Sequence, residues 1–168
     1  ERLRRSLKGR QMKSTTFQIE SIPAVLYGDR AENVFLFVHG LCGNKEEAER
    51  FAHVVAPCGY QVLGVDLPEH GGRRDGVKLL PWDVIPELQK VMRYAKEHWK
   101  SINVRAISIG AWFSLLAFAG EQVELCLLSS PMTDMEGFIR ALMQSAGVTE
   151  EDLRAAGEIP IPGGQVLS

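Results

Sequence analysis

The sequence predicts an α/β fold built on a mostly parallel sheet with helices on both faces. Three observations carry that expectation. Strand-length and helix-length windows alternate along most of the chain, the order that βαβ units produce. Two strand windows, Val34–Val38 and Tyr60–Val65, are close to continuous apolar runs, which suits strands covered on both faces. The chain has 168 residues, 45% apolar and 24% charged, with a formal net charge of −2. That composition excludes disorder and supplies enough apolar surface for one core.

Thr15–Glu20 and Ile22–Tyr27 alternate apolar and polar residues around Ser21 and end at Gly28-Asp29, an opening antiparallel pair. The Val34–Val38 strand stops at His39-Gly40. Asn44 then caps a helix from Lys45 to about Ala56, terminated by Pro57 and Gly59. Tyr60–Val65 is the next strand, closed by Asp66-Leu67-Pro68, and Gly71 to Gly76 is loop. A long helix follows from about Trp82 to Trp99, then a strand from Ile102 to Ile107 and an apolar helix from Ile109 to Ala119. Val123–Leu128 is the sixth and last strand of this pattern. Beyond Pro131 the chain turns helical from Asp134 to Ser145, restarts a helix at Thr149, and ends in an extended loop over Ile159–Gly164.

Composition closes off several functions. The longest nearly apolar stretch, Ala106–Gly120, contains Ser108, Gly110 and Ser114 and falls short of the roughly 18 residues a membrane span requires. The start is basic but has no apolar run behind it, so no secretory signal is read and the chain is expected in the cytoplasm. Cys42, Cys58 and Cys126 are odd in number with no Cys-x-x-Cys pair, which indicates neither a disulfide framework nor a zinc knuckle. Cys126, in an apolar run, is expected in the core. Residues 1–14 carry six basic side chains, yet no aromatic residue interleaves them before Phe17. They read as a solvated segment rather than a nucleic-acid arm. No ligand-spaced His or Cys cluster is present, so neither a metal nor another cofactor is implied.

The sharpest chemical feature is Ser108, set where the Ile102–Ile107 strand turns into the Ile109 helix. Small residues, Ala106 and Gly110, lie two positions to each side. A nucleophile elbow needs that spacing because its turn is too tight for large side chains at those positions. The helix N-terminus behind Ser108 favours developing negative charge. Taken alone, such a match is cheap, and a serine that merely caps a helix is the ordinary reading.

Two further turns alter that balance. Phe37-Val38-His39-Gly40-Leu41 places a glycine turn directly after a buried strand, and Asp66-Leu67-Pro68-Glu69-His70-Gly71 closes the next one. In this order, an HG turn, a D-x-P-x-H-G loop and a small-x-Ser-x-Gly elbow, the sequence resembles the α/β-hydrolase superfamily from about Thr16 to Thr133. The resemblance implies a three-layer α/β-hydrolase-type sheet. It implies Ser108 as nucleophile, and the backbone N–H groups of Leu41 and Ile109 as the oxyanion hole. His39 and His70 are then shapers of their loops, Asp66 a hydrogen-bond partner of its turn, and the substrate a small carboxylic ester. One departure stands out: Ala106 occupies the place of the usual first glycine.

In that family the acid and the histidine follow the serine, but no histidine follows Ser108. Asp134 is a minor candidate for the acid, with helix capping as its alternative. The apolar Val123–Leu128 strand, last in order, would form a bare edge. The expectation is therefore a sheet cut short after its sixth strand, with a further C-terminal segment or self-association covering that edge. The chain divides into a basic segment at 1–14, an incomplete hydrolase core at 15–133 and a helical beginning of a cap at 134–168. A non-catalytic binding or assembly module on the same scaffold is the competing reading. A nucleotide-binding loop at Gly40–Lys45 fails for want of the G-x-G-x-x-G or Gly-Lys-Ser/Thr spacing.

Overall fold

Alternate residues of the central strands face opposite layers of helix, and this pattern sets the architecture. In the computed structural model, which describes residues 12–161 and 165–167, the sheet opens with β1 (Ser14–Ile19) and β2 (Ile22–Tyr27), paired antiparallel. β3 (Asn33–Val38) leads to a 3₁₀ turn at Lys45–Glu47 and α1 (Ala48–Val55). β4 (Tyr60–Val65), α2 (Pro81–His98), β5 (Ser101–Ile107), α3 (Ile109–Ala117) and β6 (Cys126–Ser129) follow. The strand order is β1-β2-β4-β3-β5-β6, with β4, β3, β5 and β6 mutually parallel.

Val34, Leu36 and Val38 of β3, with Leu63 and Val65 of β4 and Val104 and Ala106 of β5, pack on Val84, Leu88, Val91 and Met92 of α2 and Ala111 and Phe113 of α3. Phe35, Phe37 and Val62 point the other way, onto Ala48 and Ala52 of α1. Burial on both faces is why β3 and β4 read as nearly continuous apolar runs. The chain leaves β3 toward β4 on one side, then crosses back past β3 to reach β5 on the other. A reversal of this kind, here between β3 and β5, marks in general the crevice at the C-terminal strand ends where open α/β sheets bind ligands.

The described residues up to Pro131 form one unit and those from Met132 onward a second. In the second, Asp134 caps α4 (Met135–Ala146) by accepting the Gly137 N–H at 2.8 Å, and a Thr149–Asp152 capping box opens α5 (Glu150–Ala156). Met143, Ile161 and Leu167 form its small core.

Several expectations shift. The sixth strand runs from Cys126 to Ser129 rather than from Val123 to Leu128, although Glu124 and Leu125 already exchange backbone bonds with β5. As the edge of the described sheet it has no neighbour beyond it, so Cys126, Leu125 and Leu127 are exposed and Cys126 is not a core residue. The terminal stretch is not all loop: β7 (Ile159–Ile161) pairs antiparallel with β8 (Gln165–Leu167) because Ile161 and Leu167 bury themselves beside Met143. Pro162, Gly163 and Gly164, and all of the basic segment except Met12, Lys13 and Ser14, lie outside the described residues. Among the described residues no helix is long and apolar enough to cross a membrane.

Candidate active site

Parallel register brings the site together. Val38 and Ala106 are partners at the ends of β3 and β5, so the residues two further along each chain, Gly40 and Ser108, emerge side by side. A Cβ placed on Gly40 would lie 3.4 Å from the Ser108 Cβ, which is van der Waals contact. Ser108 adopts φ +52°, ψ −122°, a conformation that costs a non-glycine residue about 1–3 kcal/mol. Its N–H donates to the Ser129 carbonyl at 2.9 Å and its own carbonyl accepts from Ala111. Its side chain makes no capping bond to the helix, so ordinary capping does not explain a serine there. Strand β6 thus holds the turn from one side while α3 begins on the other.

Gly110 is pressed onto the β3 turn: an added Cβ would sit 2.1 Å from the His39 carbonyl oxygen. The residue must be small because of that carbonyl. Ala106, buried at the end of β5, is accommodated with its methyl. The Gly40–Gly43 turn is closed by Gly43 N–H donating to Gly40 C=O at 3.1 Å, with Cys42 at φ +62°. Neither the Leu41 N–H nor the Ile109 N–H has an acceptor among the described residues. For Ile109 this follows from its place in the first turn of a helix.

The two nearby imidazoles are fully engaged by backbone. Leu67 N–H donates to His39 Nε2 at 3.0 Å, which puts the His39 proton on Nδ1, facing the Gly40 carbonyl at 2.7 Å. Cys42 N–H donates to His70 Nε2 at 3.0 Å, and His70 Nδ1 faces the Pro68 carbonyl at 2.8 Å. Burial pushes the His39 imidazole down, with the Gly40 contact acting the other way, so it stays neutral. Asp66 is equally committed, accepting from Lys45 N–H (2.8 Å), the Lys45 ammonium (2.9 Å) and Gly72 N–H (2.9 Å). Gly71, at φ +55°, lies so close to this carboxylate that a Cβ would fall 2.1 Å from its Oδ1.

No protein-family model and no curated protein matches this chain in sequence. Solved structures do resemble it. Est1E of Butyrivibrio proteoclasticus, with ferulic acid bound, aligns with a TM-score of 0.71 at 19% identity, over 92% of this chain and 67% of its own. The Pyrococcus furiosus esterase Pf2001 aligns at 0.65 and 16% identity, over 91% and 62%. The thioesterase domain of the curacin biosynthetic pathway gives 0.59 and 16%, over 94% and 71%. This chain has the α/β-hydrolase fold. It spans between 62 and 71% of the length of those three chains.

Within that fold, Ser108, Leu41 and Ile109 come together at the crevice, while Asp134 lies in the second unit as the cap of α4. His53 sits on α1 beside Glu49, and His98 closes α2 stacked on Tyr94. Among the described residues no side chain hydrogen-bonds the Ser108 hydroxyl. Three supporting residues went unread in the sequence. Lys45 is buried against Asp66, and Arg73 is buried against Glu87 and Asp75. Arg105 reaches Ser129 Oγ at 2.8 Å, beside the carbonyl that holds Ser108. The available signals were a charge at the very start of a predicted helix for Lys45, within a glycine loop for Arg73 and inside a strand for Arg105. An open cleft lined by Lys96, Trp99, Glu121 and Val123 lies at the start of β5, a strand length, roughly 20 Å, from Ser108.

Proposed function

We propose that this chain carries the nucleophile and oxyanion machinery of a serine hydrolase that cleaves a small carboxylic ester through an acyl-enzyme on Ser108. The observation that carries the reading is the positive φ of Ser108 at the head of α3, in contact with the Gly40 turn. Such a turn holds the hydroxyl out of the helix and beside two unpaired backbone donors. Ser108 Oγ attacks the carbonyl carbon, and the tetrahedral oxyanion takes hydrogen bonds from the Leu41 and Ile109 N–H groups. Donors set in advance where charge develops are worth about 3–4 kcal/mol each. Collapse expels the alcohol and leaves the acyl group on Ser108, and water then releases the acid.

A serine hydroxyl needs a base to take its proton, and His39 and His70 spend both ring nitrogens on backbone. The 168-residue form is accordingly inactive or slow in this reading. The ferulic acid held by one structural relative and the thioester specificity named for another support an ester or thioester as the substrate class. Residues 134–168 serve as the beginning of a cap, and the exposed Leu125 and Leu127 edge is where self-association or a further segment attaches. The unengaged Ser108 hydroxyl favours one other reading, a binding or assembly module that keeps the scaffold without turnover.

A fluorophosphonate probe followed by intact-mass spectrometry separates the two. The hydrolase reading expects one slow adduct that maps to Ser108 and disappears in Ser108→Ala. No adduct at saturating probe, or an adduct that survives the substitution, overturns it in favour of the module.

A further inference from the structure

The turn after β3 and the loop after β4 are tied crosswise by two histidines. His39, from the turn, accepts a backbone N–H of the loop, and His70, from the loop, accepts a backbone N–H of the turn. Their rings lie 5.2 Å apart between centroids. The two ties are not equivalent. His39 grips Leu67, whereas His70 grips Cys42, the residue directly after Leu41 and the one that carries the turn's positive φ. A left-handed non-glycine residue is unfavourable by itself, and here it is held by Gly43 N–H on Gly40 C=O inside the turn and by His70 from outside.

We propose that His70 is a positioning residue for the oxyanion turn: by accepting the Cys42 N–H, its Nε2 fixes the rotation of the Leu41–Cys42 segment and so presents the Leu41 N–H to the crevice. This rests on the reading of the Leu41 N–H as an oxyanion donor. The role demands an acceptor toward Cys42 and a donor toward the Pro68 carbonyl, which only the Nδ1–H tautomer of a neutral imidazole supplies. Glutamine also presents one acceptor and one donor from a single planar group, whereas alanine presents neither. His70 is therefore not the base of the reaction, since a proton taken up at Nε2 would face the Cys42 N–H.

The test uses the whole chain, ¹⁵N-labelled. Two-bond nitrogen–proton correlations of the imidazoles should show His70 as the Nδ1–H tautomer, and the Cys42 amide should exchange with deuterium at least tenfold more slowly in the parent than in His70→Ala. Fluorophosphonate labelling at Ser108 should slow about tenfold in His70→Ala, the worth of roughly one hydrogen bond, and return to within threefold of the parent in His70→Gln. An Nε2–H tautomer, or equal Cys42 exchange in parent and His70→Ala, overturns the proposal, as does slow labelling that His70→Gln fails to recover. Should the parent itself take no label, the hydrolase reading falls, while the tautomer and exchange measurements still decide the role of His70 in the turn.

Discussion

Gly110 has no room for a side chain beneath His39: a Cβ built on it would lie 2.1 Å from the His39 carbonyl oxygen and 2.9 Å from that of Val38. Helix propensity favours alanine over glycine in a helix by about 1 kcal/mol. The contact opposes it, since carbon and oxygen need more than 3 Å and neither carbonyl can move without shifting β3. Overpacking of this kind costs about 1–3 kcal/mol or more, so the clash wins. Gly110→Ala should lower the thermal midpoint by several degrees and slow Ser108 labelling, because the start of α3 must back away from the turn. A melting temperature equal to or above the parent's would show that the close approach is not real.

Ser108→Gly should act in the opposite direction on stability. The backbone strain at φ +52° is relieved by glycine, while glycine's greater freedom in the unfolded chain costs about 0.5–1 kcal/mol. Against a strain of about 1–3 kcal/mol, a net gain on the order of 1 kcal/mol is expected. Ser108→Ala keeps the strain and should stay close to the parent, since no capping bond is lost. Urea denaturation of the three proteins checks the order, and a Ser108→Gly protein less stable than Ser108→Ala would contradict it.

Asp66 ties the helix before β4 to the loop after it. Burial alone would raise its carboxyl, but the Gly72 N–H and both donors of Lys45 outweigh burial and hold it below the ordinary carboxylate value. A carboxyl depressed in the folded state stabilises fully above its unfolded pKa, about 3.9, and loses that contribution as pH falls through the folded value. Asp66→Asn leaves the nearly buried Lys45 ammonium with only the exposed Glu46 carboxylate, 2.8 Å away, as partner, so the cost near neutral pH should fall below the roughly 3 kcal/mol of a fully stranded buried charge. The gap between parent and variant should therefore be widest at pH 6–8 and close as the pH drops below about 4. Denaturation across that range is the measurement, and a gap independent of pH would remove the ion pair as its cause.

The core strands β3 and β4 were legible because they are buried on both faces and write that into nearly continuous apolar runs, whereas their order in the sheet is set by packing that no run of residues records. Ser108, Gly40 and Gly110 were legible because tight turns admit few residue types. The reason for Gly110 was not: the sequence rule set it against Ala106, whereas the structure sets it against a carbonyl 71 positions upstream, a contact that no local pattern encodes. Cys126 was misplaced because an apolar run looks the same in a central strand and at an edge. The β7–β8 hairpin was missed because Pro160 and a glycine pair mimic open loop, and its pairing depends on Ile161 and Leu167 reaching Met143. Lys45 and Arg73 were hidden by charge, which ordinarily means surface.

Arg73 offers the clearest separation between a charge that stabilises and one that is only tolerated. Its side chain is 1% exposed and makes a bidentate pair with Glu87 at 2.7 and 2.8 Å, with Asp75 closing from the other side at 2.7 Å. Glu87 lies on α2, so this cluster fastens the loop that carries His70 to the helix layer. Removing one partner of such a pair strands the other without water, and Arg73→Met should cost about 3–5 kcal/mol. Glu87→Met should cost less, because Asp75 remains within reach of the guanidinium. Replacing both, Arg73→Met with Glu87→Met, removes the desolvated charges together and should recover much of the loss. A double variant whose loss equals the sum of the singles would mean that the two side chains do not act as a pair. The same three proteins report on the site: where the loop loosens, protection of the Cys42 amide should fall with it, because His70 reaches the turn only from a loop held in place.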